Sequence, residues 1–228
     1  MDISMSKLTW REKTCMMSLL ISAMAAVSPA QTFTALANFD GTNGGNPETA
    51  LAQGTDGNYY GTASQGGANK GGVVFKITPD GALTVVYSFT PSGPDGWAPR
   101  GALTLGPDGN LYGTTIGGPS TVFRITPAGV VTTLYRFCSQ IDCNDGDFAY
   151  AGLLLGANGN FYGTTTAGGT NERGTIFELT PAGTLTVLYN FTSDSTLNSA
   201  LVQGGTGIFM GLRFMGAPTA TAQCTSSP

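Results

Sequence analysis

Histidine is absent from this chain of 228 residues, and that absence removes several chemistries at once. Without imidazole there is no Ser-His-Asp relay, no side chain that titrates near neutrality in its ordinary state, and no histidine-ligated metal. Charge is sparse as well: 11% of residues are Asp, Glu, Lys or Arg, and 14 acids against 10 bases give a net charge of −4. A mildly acidic surface repels polyanions, so neither nucleic acid nor an anionic membrane is an expected partner. After the first thirty residues no stretch of about twelve shows the i, i+3, i+4 apolar spacing of an amphipathic helix, and no Gly-Lys-Thr loop offers to cradle phosphate. Long apolar runs are confined to one, from Cys15 through Val27. What the chain has in quantity is glycine, 34 residues of it, which suits short strands and tight turns.

Lys7, Arg11 and Lys13 precede the apolar run and Ser28-Pro29-Ala30 follow it. That order is a secretory signal peptide over residues 1–30, cleaved after Ala30. The run is too short to span a bilayer comfortably. The protein is therefore expected to be secreted, displayed at the cell surface or periplasmic, with no membrane span once the leader is gone. Cys15 stands at the start of the run rather than at its end, which argues against a lipid-modified mature cysteine. Taking 3 bases and 2 acids away with the leader leaves 7 against 12 over 198 residues, a net charge of about −5.

The remainder repeats itself at about fifty residues. Asp56-Gly57-Asn58-Tyr59-Tyr60-Gly61-Thr62 returns as Asp108-Gly109-Asn110-Leu111-Tyr112-Gly113-Thr114 and as Asn158-Gly159-Asn160-Phe161-Tyr162-Gly163-Thr164. Val74-Phe75-Lys76-Ile77-Thr78-Pro79 and Leu83-Thr84-Val85-Val86-Tyr87-Ser88-Phe89 recur in the same order. Such a period marks a propeller or solenoid. In the second copy Ala102–Leu105, Asn110–Thr115, Thr121–Thr126 and Val130–Phe137 read as four strands joined by Gly/Pro turns, with Val131, Thr133, Tyr135 and Phe137 alternating onto one face. The expected fold is all-β: a propeller-like array of four-stranded antiparallel blades, three of them complete, over residues 31–204. The units fall at about 49–90, 100–137 and 150–191, and a lone strand at 33–39 matches the fourth strand alone. Three blades and fragments are too few for the usual four to eight of a closed ring. An open or incomplete ring, an imperfect four-bladed one and half of a dimer are the alternatives, and open blade edges would favour self-association. Between Tyr112 and Phe123 the second unit is four residues shorter than the corresponding stretches of the first and third, so its loop is trimmed.

After Phe191 the pattern restarts at Ser199-Ala200-Leu201-Val202-Gln203-Gly204 and then dissolves. Read one base out of frame, each Phe-Met-Gly, at 209–211 and at 214–216, encodes Tyr or His followed by Gly, as the repeat requires. Residues 205–228 are thus expected to be a degenerate, frameshifted tail of a longer array. A divergent terminal cap that stays in frame is the alternative.

Cys138 and Cys143 stand five apart in the loop after the second unit, the spacing of a loop-closing disulfide in an exported protein. No histidine or second cysteine pair completes a metal site around them, and Cys224 belongs to the suspected tail. Asp142, Asp145 and Asp147 with Asn144 offer hard oxygens to Ca²⁺ but lack the twelve-residue spacing, so a solvated acidic turn is the preferred reading. Asp56 and Asp108 sit in Asp-Gly hairpin turns, and Asn158 in the third copy fits a turn role better than a catalytic one. Tyr60, Tyr112 and Tyr162 recur at strand spacing and read as blade packing. No catalytic residue, metal site or cofactor is assigned.

The ordered phrases Asp-Gly-Asn-x-Tyr-Gly-Thr, Gly-Gly-Ala-Asn, Val-Phe-Lys-Ile-Thr-Pro and Leu-Tyr-x-Phe resemble the GloVer tandem repeat of exported bacterial proteins, over roughly residues 33–204. The resemblance implies a propeller-like repeat protein and carries no catalytic residues. Gly106-Pro107-Asp108-Gly109-Asn110-Leu111-Tyr112 more loosely resembles a blade motif of streptogramin-lyase propellers, enzymes that use histidine and a divalent metal. The expected function is a structural or binding role toward an extracellular glycan, polymer or protein, and the alternative is an extracellular propeller enzyme, a lyase or glycan-active one. Sequencing the coding DNA tests the tail. The frame displaced by one base after Gly204 should spell a fourth repeat without an early stop, and an interrupted or unrelated reading there would restore the in-frame cap.

Overall fold

The computed structural model describes residues 34–192, 200–203 and 209–211, the last three by backbone alone. The chain divides into two compact units, Met1–Ala35 and Leu36–Pro228. Thr34 and Ala35 are the described residues of the first. The signal peptide over 1–30, Cys15 and Cys224 lie outside the described residues.

In the second unit each Asp-Gly-Asn phrase turns the chain between a short strand and a longer one. β1 (Ala52–Gln53) pairs with β2 (Tyr59–Ala63), β2 with β3 (Val73–Ile77) and β3 with β4 (Leu83–Ser88), all antiparallel. The next sheet holds β5 (Trp97–Pro99), β6 (Thr104–Leu105), β7 (Leu111–Gly117), β8 (Thr121–Ile125) and β9 (Val131–Arg136), with β5 and β6 both lying against β7. The third runs β10 (Leu154–Leu155), β11 (Phe161–Thr164), β12 (Thr175–Leu179) and β13 (Leu185–Asn190). These are open sheets of a propeller-like, all-β chain. β14 (Leu201–Gln203) and β15 (Phe209–Gly211) then begin a fourth, with Val202 opposite Met210 as Ala52 is opposite Tyr60. Apart from 209–211, the suspected tail at 205–228 lies outside the described residues.

The turns explain the strand boundaries. Gly57, Gly109 and Gly159 take φ of +79°, +77° and +81°, which an L side chain resists, so glycine alone closes these hairpins without strain. Thr78-Pro79, Thr126-Pro127 and Thr180-Pro181 open the second turn, where each Thr N–H donates to the residue four further on. Because the strands alternate direction, both kinds of tight turn fall at one end of the blades. The longer connections, 64–72 and 89–96 in the first blade, fall at the other.

Apolar side chains meet between sheets as well as within each one. Phe89 of the first blade stands 5.2 Å from Phe123 of the second, and Phe137 of the second 5.1 Å from Phe177 of the third, both edge to face. Burying each such ring contributes about 1.5–3 kcal/mol before the cost of ordering the chain. Room for them comes from the glycine of Tyr-Gly-Thr. A Cβ on Gly113 would lie 2.6 Å from Cζ of Phe123 and 2.8 Å from Cδ2 of Leu103. Hydrogen bonds join the blades as well: Thr62 Oγ1 donates to the Gly101 carbonyl at 3.2 Å, and Thr114 Oγ1 to that of Ala151 at 3.1 Å.

Two expectations are corrected. The fourth strand does not alternate strictly: Phe123 faces Thr133 and Val122 faces Tyr135, so a bulge at Leu134 carries Tyr135 and Phe137 to the opposite face from Val131 and Thr133. The same shift recurs at Val86 and Leu188. The lone strand expected over 33–39 forms no ladder across 34–39 among the described residues. Its Phe39 nevertheless packs 4.9 Å from Phe75, as Phe89 packs on Phe123, and the Leu36 carbonyl lies against Gly81 as that of Val86 lies against Gly129. Residues 36–39 thus occupy the packing position of a preceding blade's last strand without its ladder hydrogen bonds.

Gly113→Ala is expected to cost about 1–3 kcal/mol in denaturant unfolding. In the double variant with Phe123→Leu the loss should fall short of the sum of the two single losses, because the smaller side chain vacates the space. Additive losses would show that the glycine–phenylalanine contact does not set the packing.

Candidate functional site

At the long-loop end the three copies stop resembling one another. Five residues ahead of Leu51, Leu103 and Leu153 stand Asn46, Ala98 and Phe148, all non-glycine residues at positive φ, 56°, 53° and 56°. Such backbone costs roughly 1–2 kcal/mol per residue and persists only where its surroundings hold it. Here they do. Ala98 N–H donates to the Gly71 carbonyl of the first blade at 2.8 Å, and Phe148 N–H to its neighbour Asp147 Oδ1 at 2.8 Å. Ala149 N–H reaches Ser120 Oγ in the trimmed loop of the second blade at 3.2 Å.

Two residues beyond each strained position come Glu48, Arg100 and Tyr150. They join across the three blades: Arg100 Nη1 lies 3.7 Å from Glu48 Oε2, and the Arg100 guanidinium lies 5.8 Å from the centre of the Tyr150 ring. Both ends of the ion pair are partly exposed, so the contact positions the guanidinium more than it stabilises the fold. Beside it opens a groove of about 390 Å³. Trp97, Ile116 and Phe148 supply its apolar walls, and Gly117 and Gly118 its floor. Trp97 faces Gly117 directly in the ladder between β5 and β7, and the indole lies across the space a Cβ of Gly117 would take. Ser64, 4% exposed, also lines the groove, and its Oγ has no hydrogen-bond partner.

None of these groove residues stands out in a single copy. The signal available was comparison between copies: Gly45, Trp97 and Asp147 share one repeat position, as do Glu48, Arg100 and Tyr150, and each position changes character completely. The trimmed loop pointed to the same place, since its Gly117-Gly118-Pro119-Ser120 forms the floor and its anchor.

The cysteine pair expected to close a loop, Cys138 and Cys143, is joined as a disulfide. Asp142 in its loop is exposed, as expected of a solvated acidic turn, but Asp145 is not. Asp145 is fully buried and accepts hydrogen bonds from Tyr135 Oη at 2.8 Å and from Ser139 N–H and Oγ at 3.0 and 2.8 Å. Burial alone would raise its pKa, but these donors outweigh burial and hold it below the ordinary range. Asp147, nearby, is pushed up by burial and by the charge of Asp145. The Asp145 carboxylate is spent on the loop's own structure. Among the described residues no cluster of three or more His, Cys, Asp or Glu side chains is arranged to hold a metal.

Tyr60, Tyr112 and Tyr162 are buried at the opposite end, each hydroxyl on a carboxylate. Tyr60 donates to Asp56 Oδ2 at 2.8 Å and Tyr112 to Asp108 Oδ2 at 2.9 Å. In the third blade, where the turn carries Asn158, Tyr162 donates instead to Glu178 Oε1 at 2.7 Å, from the strand position occupied by Lys76 and Arg124 in the other blades. The swap to asparagine therefore moves the carboxylate rather than dispensing with it. Burial, then the aspartate hydrogen bond and charge, push Tyr60 and Tyr112 up to about 12, and Tyr87, which donates to Asp95, to the same value. Hydrogen bonds from Asn58 and Tyr60 hold Asp56 below the usual carboxylate range despite some burial.

A tyrosine whose folded pKa lies above its unfolded value of about 10 stabilises the fold fully below pH 10 and ceases to as pH rises through 12. The melting temperature should therefore fall across that window, with tyrosine absorbance titrating late. Asp108→Ala should bring one tyrosine's ionisation to lower pH. An unchanged titration would remove the Tyr112–Asp108 pair from the account.

The family model of the Gloeobacter/Verrucomicrobia repeat matches residues 23–223. No curated protein matches the chain in sequence. Among solved structures it is similar to virginiamycin B lyase from Staphylococcus aureus, at 20% identity and a TM-score of 0.52 over 77% of this chain and 54% of that one. A catalytically inactive variant of that lyase with quinupristin gives 19% identity and 0.50 over 78% and 55%. The PQQ-bound aldose sugar dehydrogenase of Streptomyces coelicolor gives 13% and 0.49 over 79% and 59%. The chain thus spans just over half the length of the structures it resembles, and at these identities the likeness is one of fold. With the three copies of its motif built into successive four-stranded blades and the family model covering nearly all of it, the chain belongs to the Gloeobacter/Verrucomicrobia repeat family.

Proposed function

We propose that this chain is an exported binding protein whose repeated blades form a rigid frame and whose long-loop end carries the ligand site. One observation carries the reading. The glycine, phenylalanine and leucine that pack the frame are the same in every copy, whereas the residues lining the groove, Ser64, Trp97, Arg100 and Phe148, differ from their counterparts, and two lining residues, Ala98 and Phe148, stand in strained backbone. Selection for packing alone gives no reason for that contrast.

The leader-like first thirty residues and the Cys138–Cys143 disulfide support an extracytoplasmic location. No helix among the described residues is long and apolar enough to cross a membrane. Binding without turnover is preferred over lyase chemistry. The comparison lyase is catalytically inactive in a histidine-to-alanine variant, and this chain holds no histidine to take such a role.

Titrating the full chain against a panel of extracellular polysaccharides, polymers and peptides should find a ligand bound saturably and released unaltered. Trp97→Ala should weaken that binding at least about tenfold while unfolding stays cooperative. Chemical conversion of the bound ligand, or affinity indifferent to Trp97, would overturn the proposal.

A further inference from the structure

Resting on the groove reading above, we infer that the ligand is a carboxylate-bearing sugar, a uronic acid residue within an extracellular polysaccharide. Three features of the groove converge on that chemistry. Trp97 is half-buried with one side of its indole laid across Gly117, so a flat aromatic surface is fixed before any ligand arrives. A rigid ring presented this way suits the apolar face of a pyranose, and binding it costs little side-chain entropy. Ser64 Oγ is buried at the groove with no partner in the protein. An orphaned hydroxyl there carries a desolvation penalty that a sugar hydroxyl, able both to donate and to accept, relieves.

Arg100 supplies the third feature and the charge. Its guanidinium offers five N–H donors in a planar fork, yet its ion pair with Glu48 is one contact of 3.7 Å, and its approach to Tyr150 is through the ring face. Donors therefore remain for a bidentate carboxylate. Among the described residues it is the one cationic side chain lining this groove, in a protein of net negative charge. A neutral sugar would leave that fork unfilled. Glu48, by contrast, opposes an acidic ligand while it holds the guanidinium in place, and this gives the two classes of ligand opposite responses to its removal. The groove's volume of about 390 Å³ accommodates one or two sugar rings, so the contact is with a short stretch of a longer chain.

The test uses the full chain with two oligosaccharides of equal length, one of galacturonic acid and one of galactose, read by calorimetric titration. The acidic oligomer should bind at least about tenfold more tightly, and its advantage should shrink as salt is raised. Arg100→Gln should abolish the difference while leaving the weaker affinity common to both. Glu48→Gln should tighten the acidic oligomer alone, and Ser64→Ala should weaken both. Equal binding of the two, or an acidic preference that survives Arg100→Gln, overturns the inference. Failure of both sugars alongside Trp97-dependent binding of a peptide or other polymer overturns it as well, while leaving the groove as a binding site. Binding of no ligand in a Trp97-dependent manner would take the broader proposal down with it.

Discussion

Every blade depends on a glycine that leaves room for a phenylalanine. In Tyr-Gly-Thr the missing Cβ of Gly61, Gly113 and Gly163 is the space into which Phe75, Phe123 and Phe177 project from the adjacent strand, with Leu51, Leu103 and Leu153, just ahead of β1, β6 and β10, closing on it from the other side. Once those rings are seated, their edges meet Phe39, Phe89 and Phe137 of the segment before. A single sheet of this size has too little apolar surface to bury on its own, so its core is completed by its neighbour. The same register brings the following threonine within reach of the next blade's backbone, and Thr62 and Thr114 close buried hydrogen bonds there. Packing and hydrogen bonding are thus fixed by one tripeptide.

That tripeptide also explains why a carboxylate follows the tyrosine wherever it goes. Tyr60, Tyr112 and Tyr162 are carried into the interface by their strand, and a buried hydroxyl without an acceptor would be costly. Two blades satisfy it from the turn with Asp56 and Asp108. The third carries asparagine there and satisfies it from Glu178, across the ladder from Tyr162 itself. Asn158 and Asn160 then donate to the same glutamate, at 3.1 and 2.7 Å, so the turn stays tied to the strand. Residue identity varies while the acceptor is kept, which is the mark of a local physical requirement rather than of a catalytic group.

Much of the frame was legible because its determinants are local. Gly-Asn and Thr-Pro turns set strand ends to within about two residues, and the fifty-residue period gave the blades directly. What escaped was set by neighbours. The bulges at Val86, Leu134 and Leu188 leave no mark in alternation, since each bulged residue is as apolar as those beside it, yet they decide which face Tyr135 presents. Asp145 looks like a surface residue until Tyr135 and Ser139 enclose its carboxylate. The segment 34–39 carries the right side chains for a fourth strand but finds no ladder partner among the described residues, so its packing was foreseeable and its pairing was not. For the groove, Trp97 and Arg100 were invisible as motifs because a repeat is recognised by what its copies share.

The position of the groove follows from the one place where the blades differ in length. In the first and third blades the connection after the second strand is long, and glycines at positive φ fold it back: Gly66, Gly67 and Gly72 in one, Gly168, Gly169 and Gly174 in the other. The second blade lacks four of those residues, so β7 runs straight on to Gly117 and pairs there with Trp97. Shortening the loop therefore does two things together. It clears the space that the longer loops fill, and it creates a ladder position where an aromatic ring can lie on glycine. A tryptophan at the corresponding place in the third blade would meet Ala167 opposite Asp147, where a Cβ already occupies the surface on which the indole would rest. The shorter loop and the tryptophan thus act together, and the cation of Arg100, three residues beyond Trp97 and held between Glu48 and Tyr150, gives the cleared space its chemical character.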